Sequence, residues 1–334
     1  MIIIGHVKNI PSKNVYITNA YNWDILLDSV KCENDYFQFN LDTIKFPEPF
    51  LASICIKNEM DKIEQLSIIN YKMTSSKDTF SNTGFMLSLG KTEIQGDYNN
   101  KFHRVFINPN NENDLLFDQK TENFASTNDL KKVKEIVLKN SSSYFLLNKL
   151  YNYKHLYSST ELKEILLLFK KRVRYSATGL ELLKYANFLI KKGLPFPNPS
   201  LSDSKNNQVF LLNDSAKLYM LVFWASWCGP CIREIPALKN IQKKFSDLSL
   251  SIKSISIDEN SSNWLEAMEK QSMNWEQYLI PNNDLLKIKA QFSINSIPTT
   301  IFLDSNHIEI KRFIGYSENN IKEYNDFIKE YFKE

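Results

Sequence analysis

The central motif of this sequence is Leu221-Val222-Phe223-Trp224-Ala225-Ser226-Trp227-Cys228-Gly229-Pro230-Cys231. Its apolar first half is typical of a buried strand, and Pro230 suits the first turn of a helix, where a missing N–H costs nothing. Cys228 therefore lies at a helix start, where unpaired backbone N–H groups and the positive end of the helix dipole favour a thiolate. Cys231 lies behind it, within bonding reach. The motif predicts thiol chemistry where a strand meets a helix.

A C-x-x-C pair is also half of a common zinc site, which needs a second pair of Cys or His ligands. The other two cysteines, Cys32 and Cys55, lie far upstream, and the four histidines are scattered singly. We therefore expect no metal and no other cofactor. Cys32 and Cys55 are interpreted as small apolar residues, with a disulfide between them left open.

Strands and helices alternate after a proline-rich linker at 194–200. The predicted strands cover 209–212, 218–224, 250–257, 299–303 and 308–313. The predicted helices cover 230–245, 263–270, 283–291 and 318–332. This alternation predicts an α/β layer with helices on both faces of a sheet.

The upstream part of the chain has a different pattern. Short runs of β-branched and aromatic residues up to about Asn108 predict a mainly antiparallel β-sandwich or partial barrel, with a tight turn at Asn34-Asp35. Helical spacing follows, with a capping box at Ser158 and Glu161 and a predicted helix end at Lys191-Lys192-Gly193. We expect three parts: a β-rich module at 1–108, a helical connecting segment at 109–194 and an α/β domain at 195–334.

Composition excludes several classes of protein. The 334 residues are 43% hydrophobic and 24% charged, which is ordinary for globular domains. A formal net charge of +3 is too small to predict nucleic-acid binding. No apolar run approaches the roughly 18–20 residues of a membrane-spanning helix, and the stretch Met1–Lys8 does not have the pattern of a signal peptide.

The motif carries a family resemblance. Residues 223–231, with Glu234 and Pro236, resemble thioredoxin-fold proteins of the TlpA/ResA-like group. Ser296-Ile297-Pro298-Thr299-Thr300 is similar to the cis-proline loop of that family. The segments 28–39 and 47–50 resemble, more weakly, the β-rich module fused ahead of such thioredoxins in Gram-negative bacteria.

The resemblance implies a thioredoxin-like C-terminal domain that exchanges dithiols and disulfides. Cys228 would attack a substrate disulfide, and Cys231 would resolve the mixed disulfide, leaving a Cys228–Cys231 disulfide. Pro298 is expected to be cis and to lie against the cysteines. The free backbone of Ile297 would then let an extended substrate pair like an added strand.

Other residues receive roles from the same resemblance. Trp227 and the Gly229-Pro230 pair would shape substrate access, with simple packing as the alternative for Trp227. Glu234 would tune proton transfer to Cys231, or else would be a solvated helix carboxylate. Thioredoxin has a buried Asp on the strand before the motif, and Val222 occupies the matching position here.

The implied function is a reductase of protein disulfides, since thioredoxin carries the same Gly-Pro pair between its cysteines. Two alternatives remain: a disulfide oxidase or isomerase with the same residues, and a partner-binding module that the thioredoxin unit supports. The expected partners are client proteins with disulfides and an electron-donating thiol–disulfide protein. Resemblance places the protein in the periplasm or cell envelope, with a membrane tether through a removed lipoprotein signal as a possibility.

Overall fold

The computed structural model describes residues 1–20, 22–58, 60–72, 81–99, 104–118, 121, 124–126 and 129–333. The chain forms two compact units, Met1–Leu183 and Lys184–Glu334. The three-part division at 108 and 194 stays a prediction. Among the described residues, no helix is both long and apolar enough to cross a bilayer.

The first unit begins with β-strands. In the described residues these are β1 (Ile2–Lys8), β2 (Asn14–Asn19), β3 (Asn22–Lys31), β4 (Tyr36–Asn40), β5 (Phe50–Lys57), β6 (Ile63–Gln65), β7 (Ser67–Ile69), β8 (Ser81–Asn82), β9 (Phe85–Leu87), β10 (Lys91–Asp97) and β11 (Arg104–Ile107). They form a six-stranded sheet in the order β4-β1-β10-β11-β7-β8 and a five-stranded sheet in the order β3-β2-β5-β6, with β9 paired to β5. Apolar residues of both sheets share one core. The predicted β-rich fold is confirmed.

Strand pairing in the six-stranded sheet is mixed. β1 pairs in parallel with β10, and β11 pairs in parallel with β7. Alternating burial along β1 shows which side faces the core, but it carries no information on the direction of the neighbouring strand. The predicted tight turn is confirmed, because Asn34 and Asp35 have φ values of 52° and 63° and the flanking residues Glu33 and Tyr36 form a β-bridge.

Helices follow the strands. Those described are α1 (Asn111–Leu116), α2 (Leu130–Lys139), α3 (Tyr144–Asn152), α4 (Ser159–Leu168), α5 (Lys171–Arg174) and α6 (Ala177–Phe188). The predicted capping box of Ser158 and Glu161 is present at the start of α4. The predicted helix end at 191–193 is wrong, since α6 stops at Phe188. Gly193, with a φ of 84°, lies instead in a separate turn that is closed by the Leu194 N–H and the Lys191 carbonyl.

The second unit is an α/β layer. Its strands are β12 (Ser200–Asp203), β13 (Gln208–Phe210), β14 (Leu218–Trp224), β15 (Leu250–Ser256), β16 (Glu276–Leu279), β17 (Thr299–Asp304) and β18 (Glu309–Ile314). Its helices are α7 (Gly229–Lys244), α8 (Ser261–Lys270), α9 (Leu285–Gln291) and α10 (Glu318–Tyr331). The seven strands lie in the order β13-β12-β16-β15-β14-β17-β18. The predicted α/β architecture is confirmed, and β12 and β16 are two strands that the sequence pattern did not predict.

The middle of this sheet positions the central motif. All seven residues of β14 are buried, as expected for a strand flanked by β15 on one side and β17 on the other. β14 and β15 are parallel, so α7 is the crossover between them. The buried face of α7 consists of Cys231, Glu234, Ile235, Leu238 and Ile241, which recur at helical spacing.

Candidate active site

Cys228 and Cys231 are joined by a disulfide bond at the start of α7. Cys228 is the N-cap residue, and its Sγ accepts a hydrogen bond from the Cys231 backbone N–H at 3.2 Å. The two side chains are buried, with 5% and 2% of their surface exposed. When this disulfide is reduced, the same N–H and the positive end of α7 stabilise negative charge on the Cys228 sulfur.

The local sequence explains this placement. The Cys228 N–H donates to the Ala225 carbonyl at 3.1 Å and so closes a turn immediately after β14. Pro230 lies in the first turn of α7, where a backbone N–H would have no intrahelical acceptor, so the missing N–H of proline costs nothing. Gly229 and Pro230 are exposed, so the outer edge of the disulfide loop faces solvent.

A buried carboxylate fixes the loop before Cys228. Asp258 follows β15 and is 2% exposed. It accepts hydrogen bonds from the Ser226 backbone N–H (2.9 Å), the Ser226 hydroxyl (2.7 Å) and the Ser256 hydroxyl (2.6 Å). Trp224 and Ser256 are register partners, so the ends of β14 and β15 bring Asp258 to this loop. Three donors converge on one buried group, and Asp258 therefore sets the position of Ser226.

Glu234 is buried on the inner face of α7, with 1% of its surface exposed. Its Oε1 accepts a hydrogen bond from the Tyr324 hydroxyl of α10 at 2.8 Å, whereas its Oε2 has no hydrogen-bond partner among the described residues. Burial raises the pKa of Glu234 to about 7, and the hydrogen bond from Tyr324 opposes that rise. Burial and the nearby Glu234 charge raise the pKa of Tyr324 far above its usual range.

The alternative of a solvated carboxylate at Glu234 is wrong. The helix turns this side chain toward the core because it shares a face with Ile235 and Leu238. Glu234 also follows Cys231 by three residues, which places their Cβ atoms about 5–6 Å apart on one helix face. A carboxyl with a raised pKa, whose Oε2 has no hydrogen-bond partner among the described residues, therefore lies beside the inner cysteine.

The second loop of the site precedes β17. The Ile297–Pro298 peptide bond is cis. The Gly315 N–H donates to the Pro298 carbonyl at 2.8 Å, and Ile297 packs, half-buried, against the core of the unit. Thr299 is the register partner of Phe223 in the antiparallel pair of β17 and β14. This loop and the disulfide loop therefore emerge at the same edge of the sheet.

The remaining predicted positions divide between surface and core. Trp227 is 67% exposed, next to Cys228. Val222 is a buried residue of β14, so this position of the strand contributes no ionisable group. The structure thus gathers the residues predicted for the site around the start of α7 and the loop before β17.

Two polar residues of this region were missed by sequence reasoning. Asp258 has only the weak signal of an acidic residue directly after a strand. Tyr324 has no signal, because its link to Glu234 depends on how α10 packs on α7. Both become visible only when the sheet register and the helix packing are known.

The other cysteines lie in the first unit and are free thiols. Burial raises the pKa of Cys55 and, with the charge of Asp35, that of Cys32. In the described part of the chain, no group of three or more His, Cys, Asp or Glu side chains is placed to hold a metal ion.

Comparison with known proteins finds thioredoxin-like relatives of the second unit. Residues 215–309 match the sequence model of a thioredoxin-like family. Over 141 residues the chain is 26% identical to the thiol-disulfide oxidoreductase ResA of Bacillus subtilis, covering 42% of this chain and 77% of ResA. It is 31% identical to the thioredoxin-like protein YneN of the same organism over 116 residues, 34% of this chain and 66% of YneN. The thioredoxin domain of a thiol-disulfide oxidoreductase from Bacteroides vulgatus matches 41% of this chain and 98% of that domain, with 23% identity and a TM-score of 0.38.

A disulfide across C-x-x-C at a helix N-terminus, within a thioredoxin-like sheet, defines this protein as a thiol–disulfide oxidoreductase. Several of its curated relatives carry the name thiol-disulfide oxidoreductase ResA. The predicted resemblance of the C-terminal domain is confirmed.

Proposed function

We propose that this protein reduces disulfides of client proteins through the dithiol of Cys228 and Cys231. The observation that carries the proposal is the disulfide at the N-terminus of α7 with the protonatable Glu234 buried on the same helix face. The Gly-Pro pair between the cysteines, which thioredoxin shares, supports the direction of electron flow.

In the proposed reaction the two cysteines have different roles. The Cys228 thiolate attacks one sulfur of the client disulfide, that S–S bond breaks, and the second client sulfur leaves as a thiolate. Cys231 then loses its proton and attacks Cys228 Sγ, which releases the first client sulfur. The two electrons of the dithiol pass to the client, and the enzyme keeps the Cys228–Cys231 disulfide.

Glu234 accepts the proton of Cys231 in the second step. A general base works best when its pKa lies near the working pH, and burial raises the pKa of Glu234 to about 7. Its Oε2, which has no hydrogen-bond partner among the described residues, is the oxygen available for that proton.

The client binds at the exposed edge of the site. Trp227, at 67% exposure, offers an apolar contact beside Cys228, and Gly229 and Pro230 leave the approach open. An extended client segment pairs with the backbone of Ile297 next to Pro298.

The cellular setting belongs to the same proposal. A reductase that ends each cycle as a disulfide needs an electron-donating thiol–disulfide partner to regenerate its dithiol. Resemblance to thioredoxins fused behind a β-rich module in Gram-negative bacteria supports the periplasm or cell envelope as its location. A tether through a lipoprotein signal removed from the mature protein fits the same setting.

The test is the equilibrium reduction potential of the Cys228–Cys231 pair in a glutathione or dithiothreitol buffer. We expect a value near about −270 mV, the range of thioredoxin. A value between about −180 and −120 mV would show an isomerase or oxidant with the same residues. As a direct check on the roles, Cys231→Ser should trap a covalent client through Cys228, and Cys228→Ser should trap none.

A further inference from the structure

A cation lies beside the active-site disulfide. Arg233 is an exposed residue one turn after Gly229 on α7. A Cβ added at Gly229 would lie 3.8 Å from Arg233 Nη1, so the guanidinium reaches back to the exposed edge of the disulfide loop. Its Cζ also lies 5.7 Å from the centre of the Tyr316 ring, a cation–π contact that restrains the side chain there.

No acidic side chain among the described residues forms an ion pair with Arg233. The first turn of α7 contains no acidic residue. The guanidinium and the positive end of the helix dipole therefore add up at the surface where a client meets Cys228.

A cation near a helix N-terminus opposes the helix dipole, so this choice of residue does not favour the stability of α7. Natural proteins keep a residue that does not favour local stability mainly where that residue has a function. A client that brings a negative charge to this surface removes the unfavourable interaction.

We propose that Arg233 selects client disulfides that are flanked by an acidic side chain. The inference rests on the proposed function, because it concerns the peptide that approaches Cys228. Successive Cα atoms of an extended chain are about 3.8 Å apart, so a residue one or two positions from the client cysteine passes over the Gly229 edge. A carboxylate at that position meets the guanidinium, whereas a lysine there is repelled.

The experiment compares three peptides with one disulfide each, identical except for Asp, Asn or Lys beside the attacked cysteine. Rates of reduction by the full-length dithiol protein are measured for wild type, Arg233→Gln and Arg233→Glu. Lys243→Gln is the matched control, since Lys243 is an exposed residue in the last turn of α7, about 22 Å along the helix from Cys228.

An exposed ion pair is worth about a two- to five-fold change in kcat/KM, so the Asp-to-Asn rate ratio of the wild type should have that size, and the Asp-to-Lys ratio should be larger because the lysine is repelled. Arg233→Gln should lower the Asp-to-Lys ratio to the part that the helix dipole contributes, Arg233→Glu should lower it further, and Lys243→Gln should retain it. Raising the ionic strength toward about 1 M, where the Debye length is about 3 Å, should also bring the wild-type ratio toward one.

The outcomes separate the two proposals. Failure of the wild type to reduce the neutral Asn peptide would count against the proposed function. Reduction of all three peptides at one rate, or a ratio that persists in Arg233→Glu, would overturn the role of Arg233 alone. An equal change for all three peptides in Arg233→Gln would also overturn it, since Arg233 would then act on the Cys228 thiol and not on the client.

Discussion

Replacing Glu234 with Gln should change how the stability of the second unit depends on pH. The carboxyl has a pKa of about 7 in the folded protein and an ordinary value of 4.5. Between these values the unfolded chain ionises Glu234 while the folded chain keeps its proton. In the wild type, the protonated group therefore contributes fully to the free energy of unfolding below about pH 4.5. This contribution is lost as the pH rises through about 7.

The size of the effect follows from the same two values. Each tenfold change in an ionisation constant is worth about 1.4 kcal/mol, so the wild type should lose about 3 kcal/mol of unfolding free energy over this range. Glu234→Gln does not ionise. Its unfolding free energy relative to the wild type should therefore rise by about 3 kcal/mol between about pH 4 and about pH 8.

Urea denaturation of the oxidised protein measures this difference. Of the 5 tryptophans, Trp224, Trp227, Trp264 and Trp275 belong to the second unit, so fluorescence follows its unfolding. Glu269→Gln makes the same substitution at an exposed position of α8 and should differ from the wild type by less than about 0.5 kcal/mol throughout. A flat difference for Glu234→Gln would refute the raised pKa of this carboxyl and, with it, its role as proton acceptor in the proposed mechanism.

Two further substitutions test the neighbours of this site. Tyr324→Phe removes the hydrogen bond that lowers the pKa of Glu234, so the pKa of Glu234 should rise further. In the same urea series, the pH at which stability is lost should therefore move upward. An unchanged pH dependence would show that the hydrogen bond has no such effect. Asp258 accepts hydrogen bonds from three donors, and Asp258→Asn replaces one acceptor oxygen by an NH2 donor. Because a donor then faces donors, the unfolding free energy should fall by about 1.5–3 kcal/mol and disulfide reduction should slow. Wild-type stability and rate in this variant would contradict the role of Asp258 in holding the loop.

Local signals made the central motif predictable. The predicted bounds of β14 are those of the structure, because a continuous apolar run followed by turn and helix-start residues has few other interpretations. The start of α7 agrees within one residue, since Cys228 and Pro230 are both typical of helix beginnings. Functional residues that all lie in one such segment can be predicted without knowing the rest of the fold.

Features that depend on distant partners were not predictable. Lys253, on β15, has a fully buried side chain that pairs with Asp214 at 3.1 Å and with Glu276 at 2.8 Å. A lysine in a strand is ordinarily expected on the solvent face, and here both carboxylates, with the Asn213 side-chain oxygen at 2.9 Å, offset the cost of its burial. The strand that holds Glu276 was itself missed, because four residues with a single apolar pair give no clear alternation.

The two buried carboxylates near the cysteines show how a fold divides chemically similar groups between tasks. Asp258 is held by three donors from Ser226 and Ser256, so its oxygens are occupied in positioning the loop. Glu234 has one donor and a pKa of about 7, so it is the carboxyl that can exchange a proton near neutral pH. Val222 on β14 is apolar, so the proposed mechanism takes the buried acceptor for the Cys231 proton from α7 and not from the strand beneath. The proposed mechanism therefore depends on the packing of α10, whose Tyr324 fixes that acceptor.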